Sequence, residues 1–177
     1  EKNRQGLLHI YCGDGKGKTS AAVGMAVRAA GCGMKVLVIR FLKTENSGEV
    51  EVLRSIPGIT VTPCDRTFGF VFRMTEEQKQ EAALYYQSRF EAAAKEAVQG
   101  QYDLLILDEI LASCNYGMVR ETSVVEFLKN RPEKLEVVLT GRNPSETFLE
   151  LADYVSEIHM RRHPYEKGIP ARRGIEF

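Results

Sequence analysis

Apolar runs of strand length alternate with stretches of helical spacing from one end of the chain to the other. The runs Leu7–Cys12, Lys35–Arg40, Ile59–Pro63, Asp103–Leu107, Leu135–Thr140 and Tyr154–Ile158 predict six strands. Between them, 18–30 reads as a helix ended by Gly31, and Thr75-Glu76-Glu77-Gln78 is a capping box opening a long helix to about Gln99. In that helix Leu84, Phe90, Ala94 and Val98 are placed near one face, with Gly100 as the stop. Shorter helices are expected at Met118–Asn130 and Ser145–Leu151. The alternation predicts an α/β fold, a mainly parallel sheet flanked by helices.

Two stretches break the alternation. The polar segment Thr44-Glu45-Asn46-Ser47-Gly48-Glu49 follows a strand end and reads as a loop or lid. From His163 to Phe177 there is little periodicity, yet Tyr165, Ile169, Ile175 and Phe177 make the segment too apolar for an ordinary disordered tail. It is expected to pack back onto the domain. With no internal repeat, low-complexity run or linker, residues 1–177 are expected to form one domain.

Composition narrows the function classes. Formal net charge is zero, which supplies no field for nucleic acid or an anionic membrane, and no apolar run approaches a membrane span. Arg161, Arg162, Arg172 and Arg173 make the C-terminal end basic without interleaved aromatics, as anion contacts or a solvated face would. Cys12, Cys32, Cys64 and Cys114 form no C-x-x-C pair, against a zinc site or a disulfide framework. Reduced thiols in a cytoplasmic protein are the simplest reading. The chain opens at Glu1 without a methionine or a signal-peptide pattern, and a preceding native segment is expected.

The strongest chemical signal is Gly13-Asp14-Gly15-Lys16-Gly17-Lys18-Thr19-Ser20, set between the first strand and the first helix. In that context backbone N–H groups and the positive end of a helix dipole converge on phosphate. Counting back from Gly17-Lys18-Thr19, Cys12 stands where the first glycine of G-x-x-x-x-G-K-[ST] belongs. The cradle is therefore a shorter, glycine-denser variant, which suggests phosphates held in an altered arrangement. Lys18 is the candidate for the phosphate oxygens and the Thr19 hydroxyl for Mg²⁺. Lys16 is a weaker candidate, because a loop lysine is more often solvated. A glycine-rich turn without a ligand is the competing reading.

Leu104-Leu105-Ile106-Leu107-Asp108-Glu109 is an apolar strand ending in two carboxylates, the Walker B arrangement. Strand ends in a parallel sheet line one crevice, so these acids would face the phosphate loop and bind Mg²⁺; acids that only cap the next helix are the alternative. Thr140-Gly141-Arg142 emerges on the same rim, where Arg142 could hold a terminal phosphate. Phe68-Gly69-Phe70-Val71-Phe72 places three rings at period two. Spacing alone reads them as core; a loop over the crevice, where they would wall a large flat ligand, is the other possibility.

Taken together these residues resemble the P-loop class of ATP:corrinoid adenosyltransferases, over nearly the whole chain. The resemblance is carried by the short loop, Phe41-Leu42-Lys43, Tyr102-Asp103 through Asp108-Glu109, and Thr140-Gly141-Arg142. Its most specific part is the ending, 152–157, 163–171 and Gly174-Ile175-Glu176-Phe177. It implies a RecA-like fold and transfer of the 5′-deoxyadenosyl group of ATP to Co(I) of a corrinoid, with release of triphosphate. It further implies Mg²⁺ or Mn²⁺ with ATP laid in reverse along the loop, Glu109 as metal-coordinating acid, a flavodoxin-type electron donor and a homodimer. Phe70 and Phe72 match the family's two aromatics that displace the lower ligand of Co(II). In the best-known enteric members the second of these is tryptophan, which this chain lacks altogether. Those members also carry an N-terminal helix over the site, where here a dimer partner, another segment or residues preceding Glu1 are expected to close it. A small-molecule kinase or NTPase, and a binding module with ATP as a switch, are the competing functions.

Overall fold

The computed structural model describes residues 4–177. Its strands are β1 (Leu8–Cys12), β2 (Val36–Arg40), β3 (Ile59–Val61), β4 (Leu104–Asp108), β5 (Glu136–Thr140) and β6 (Tyr154–Glu157). They form one sheet in the order β3-β2-β4-β5-β1-β6, every neighbouring pair parallel. The helices are α1 (Lys18–Gly31), α2 (Glu49–Ser55), α3 (Glu76–Gln99), α4 (Ile110–Asn115), α5 (Glu121–Asn130) and α6 (Glu146–Leu151).

Alternation along the central strands divides the core into two layers. Leu37, Ile39, Leu105, Leu107, Val137 and Leu139 point to one face, where Tyr86, Phe90, Leu111, Leu128 and Phe148 from α3 to α6 cover them. Val36, Val38, Leu104, Ile106 and Val138 point to the other, against Ala22, Ala26, Val50 and Leu53 of α1 and α2. Both β2 and β4 are buried along their full length, the condition under which a parallel strand reads as a continuous apolar run. Because all strands run the same way, the segments leaving β1, β2, β3, β4 and β5 emerge on one rim.

The predicted capping box at α3 is formed: the Gln78 N–H donates to Thr75 Oγ1, and the Thr75 N–H to Gln78 Oε1. The buried face of α3 differs from expectation. It runs through Ala82, Tyr86, Phe90, Ala93 and Ala97, at spacings of three and four, while Leu84 and Val98 are exposed. The polar segment after β2 is a loop only to Gly48; α2 then buries Val50 and Leu53. Helix α5 starts at Glu121 rather than Met118, because the N–H groups of Met118 and Val119 are taken by Ser113 O at the end of α4. The tail, 163–177, does not bury its apolar side chains. It folds against itself through Gly174 N–H to Phe177 O and an Arg172–Glu176 ion pair, leaving Tyr165, Ile169, Ile175 and Phe177 exposed.

Candidate functional site

The site is assembled where β1, β4 and β5 end. Residues 13–17 leave β1 and turn into α1, with Gly13 at φ 106° and Gly17 at φ 116°, a region that favours glycine. At Gly13 the reason is also spatial: a Cβ would come within 2.3 Å of the Ile158 carbonyl oxygen. Gly15 has the same neighbour, donating its N–H to Ile158 O at 2.7 Å. The segment after β6 is therefore packed on the loop, and side chains at Gly13 or Gly15 would push it away. Asp14 ties down the same segment by accepting from the Met160 N–H at 2.9 Å, a bond that holds its carboxyl below the usual range.

Lys18 opens α1 and curls back, its Nζ donating to Gly15 O at 2.8 Å inside the loop's bend. Burial, then the charge of Arg142, push its pKa down from the ordinary lysine value. Lys16 and Ser20 are exposed. Lys16 faces a cavity of about 880 Å³ between the loop and the tail, whose wall includes Arg161, Arg162 and His163. Two of the C-terminal arginines thus look onto that cavity, while Arg172 is paired with Glu176.

Asp108, at the end of β4, is buried and fully engaged. Thr19 Oγ1 donates to its Oδ1 at 2.9 Å, Thr140 Oγ1 donates to the same oxygen at 2.7 Å, and Lys43 Nζ lies 2.5 Å from Oδ2. Lys43 also donates to Thr19 Oγ1 at 2.8 Å. Strand order explains Thr140: β5 lies between β1 and β4, so a short hydroxyl side chain at its end spans the gap between loop and acid. Thr140 also accepts the Glu109 N–H at 2.9 Å, fixing the turn out of β4. There Glu109 adopts φ 64°, uncommon for a residue with a side chain and a conformation that concentrates at functional turns. Burial, followed by the neighbouring Asp108 charge, raises the Glu109 carboxyl, against the pull of Lys43, Lys18 and Arg142. Arg142 is exposed, with its carbonyl anchored by Asn115 Nδ2 at 3.0 Å.

A cation fits this donor set, because one is already seated on it: the Lys43 ammonium contacts a carboxylate and a hydroxyl oxygen, both hard ligands. Among the described residues no group of three or more His, Cys, Asp or Glu is arranged to hold a metal. A divalent ion here would rely on Thr19, on Asp108 or Glu109, and on oxygens from its own ligand.

The aromatic segment divides. Phe68 is half-buried, its ring 5.4 Å from Tyr85 and 5.7 Å from Tyr86 between centroids. Phe70 and Phe72 are 65% and 78% exposed, so the core reading fails for these two. They stack on each other at 5.4 Å and 23°, with the Arg73 guanidinium 5.7 and 5.6 Å from the ring centres. The break in period is a 3₁₀ turn, Val71–Arg73, which brings the second ring beside the first. The sequence singles out Arg142 over Thr140 and offers Lys43 only as part of a motif. The one signal for both is a polar side chain at or just past the end of an apolar strand.

The description ATP:corrinoid adenosyltransferase BtuR/CobO/CobP belongs to a family model that matches residues 4–177. A corrinoid adenosyltransferase of Pseudomonas aeruginosa is 32% identical, the match covering 99% of this chain and 86% of that protein. One from a Sinorhizobium species is 33% identical over 99% and 82%, and that of Escherichia coli K12 is 32% identical over 99% and 88%. Among solved structures, the cytoplasmic domain of EssC superposes with a TM-score of 0.52 at 16% identity, covering 97% of this chain and 37% of that one. At that identity the likeness speaks for the fold alone. With the short phosphate loop, the strand-end acid and the segment after β6 closing on the loop all present, the match along the described chain is decisive: the protein belongs to the ATP:corrinoid adenosyltransferase family.

Proposed function

We propose that this corrinoid adenosyltransferase carries out its transfer with the residues gathered at the ends of β1, β4 and β5. The substrate Co(I) attacks C5′ of ATP, a Co–C bond forms, and the C5′–O bond breaks with its electron pair leaving on triphosphate. So strong a nucleophile needs no general base; the work lies in alignment and in stabilising the leaving group. Lys18, the N–H groups of Gly13, Asp14, Lys16 and Gly17, and the start of α1 at Thr19 and Ser20 take up that charge, while Gly15, its N–H held by Ile158 O, shapes the turn. Arg142 adds a cation at the rim. Thr19 and Asp108, with Glu109 beside them, would hold Mg²⁺ or Mn²⁺, which supplies further charge neutralisation when bound.

The nucleotide lies in reverse along the loop, so that the ribose and not the terminal phosphate meets the second substrate. Phe70 and Phe72 wall the lower face of the corrinoid and keep an axial ligand off Co(II), allowing a flavodoxin-type protein to reduce it. Their exposure supports this, since rings left in solvent contribute little to the core. The protein acts in the cytoplasm as a single-domain homodimer. No helix among the described residues is long and apolar enough to cross a membrane.

The observation that carries the reading is the contact of Thr19 with Asp108 beneath a glycine loop that Ile158 holds closed. The test is anaerobic incubation with MgATP and chemically reduced Co(I) corrinoid. A light-sensitive alkylated corrinoid and stoichiometric triphosphate are expected; ADP without alkylation would point to a kinase or NTPase. Light scattering on a sizing column tests the dimer.

A further inference from the structure

Lys43 is a cation to which the mechanism above gives no task, yet it touches the oxygens assigned to the metal. Its Nζ is 2.5 Å from Asp108 Oδ2 and 2.8 Å from Thr19 Oγ1. The backbone on both sides of it is pinned. Phe41 is fully buried and donates its N–H to Asp108 O at 2.9 Å. Leu42 takes φ 55°, a left-handed turn that a leucine adopts only under constraint, and it sends the chain back across the end of β4. Beyond Lys43, the buried Arg40 donates Nη2 to Thr44 O at 2.8 Å and Ser47 Oγ at 2.6 Å.

The chemistry of the contact is exclusive. The Thr19 hydroxyl spends its proton on Asp108, so metal and ammonium must draw on its lone pairs and on the same carboxylate. Magnesium needs oxygens at about 2.0–2.1 Å and a crowded octahedral shell, which leaves no room for an ammonium on those atoms. Asp108 without any cation would be a buried, uncompensated charge, which is costly.

We propose that Lys43 is the resident counter-cation of the metal site, and that the divalent ion arriving with ATP displaces it. In the nucleotide-free protein the lysine keeps Thr19 and Asp108 assembled and opposes entry of a bare divalent ion. When metal enters with the triphosphate, the ammonium is released from Asp108 and Thr19, while the bonds of Phe41, Thr44 and Ser47 keep the backbone of 41–48 in place. Metal loading and exposure of the Lys43 ammonium become one event. The inference rests on the reading that Thr19 and Asp108 hold the metal.

The full chain without nucleotide, titrated with Mn²⁺ and followed by the electron paramagnetic resonance of the free ion, tests this. Lys43→Met should bind Mn²⁺ about tenfold more tightly than the unaltered protein, a typical coupling between two ligands of one site, and Lys43→Arg should not. In chelator Lys43→Met should melt lower and regain its melting temperature on Mn²⁺ addition. Without any substitution, pulse acetylation read by mass spectrometry should label Lys43 several-fold faster at saturating Mn²⁺. Equal Mn²⁺ affinity in Lys43→Met, or labelling indifferent to Mn²⁺, would overturn the proposal, since a merely structural ion pair gives those results. Asp108→Asn should lose Mn²⁺ binding. If it binds as well as before, the metal site itself is wrong and the inference goes with it.

Discussion

Around the phosphate loop polar atoms are buried and paired, whereas along residues 66–73 two aromatic rings stand in solvent. Asp108 is engaged by three side chains and Gly15 by a backbone carbonyl from the far side of β6. Phe70 and Phe72 have only each other and Arg73. On the proposed function the two regions face different substrates. A triphosphate must find donors already aimed, because reorganising them during departure would forfeit their effect. A corrinoid is large and apolar on its faces, and rings left uncovered by the fold gain their burial only when it arrives. One region is finished by folding, and on that reading the other is finished by its ligand.

Substitutions can break that contrast. The largest expected effect is Lys18→Ala, which should lower kcat/KM by about 10²–10³ from Co(II) and from pre-reduced Co(I) alike, as loss of a leaving-group donor does. Steady-state assays with each starting state check this. Gly13→Ala should cost about 2–4 kcal/mol of stability, because its Cβ meets the Ile158 carbonyl in a backbone region that favours glycine. Chemical denaturation measures it, and a loss below about 0.5 kcal/mol would mean that 158–160 yields easily.

Thr140→Val leaves the Glu109 N–H and one Asp108 bond unmet in a buried setting, and should cost about 1–3 kcal/mol. The same denaturation series reads it. Phe72→Ala sharpens the contrast from the other side: stability should change by no more than about 0.5 kcal/mol, as for exposed positions generally. Its turnover from Co(II) should fall far more than from Co(I); equal losses would remove its role in reduction.

The smallest effect concerns pH. Glu109 binds its proton more tightly in the fold than in the unfolded chain, chiefly through burial. Its contribution to ligand-free stability therefore declines as pH rises from the ordinary glutamate range through the raised folded value. Glu109→Gln should melt higher than the unaltered protein at neutral pH and show less of that decline. Melting curves between pH 4 and 8 test the sign, and added divalent ion should reverse the ranking.

All six strands lie where the apolar runs place them; for β2 and β4 the reason is that a strand buried on both faces has little freedom in composition, whereas β6 is exposed along its length and is marked by its β-branched and aromatic residues and its place after α6. The glycine loop and the Asp108-Glu109 pair were equally legible, each having a fixed spacing. Helices α2 and α4, of seven and six residues, barely complete a period and open without a side-chain cap, whereas α6, equally short, is legible from the capping Ser145. Leu84 was placed on the buried face of α3 because it is apolar, yet it falls outside the three-and-four spacing from Ala82 to Ala97. Lys43 and Thr140 carry no local signal that separates them from any polar residue after a strand.

The parallel sheet with its flanking helices, the phosphate-binding turn and the acid opposite it are written in the chain, since periodicity and glycine spacing are local properties. Folding in three dimensions sets Thr140 as the bridge from the loop to Asp108 and seats Lys43 on Asp108 and Thr19. It also sets Asp14 to hold the segment after β6, and turns Phe68 inward while Phe70 and Phe72 stay out. Those outcomes depend on strand order, which sets residues far apart in the chain within hydrogen-bonding distance, and no pattern along a single segment encodes it.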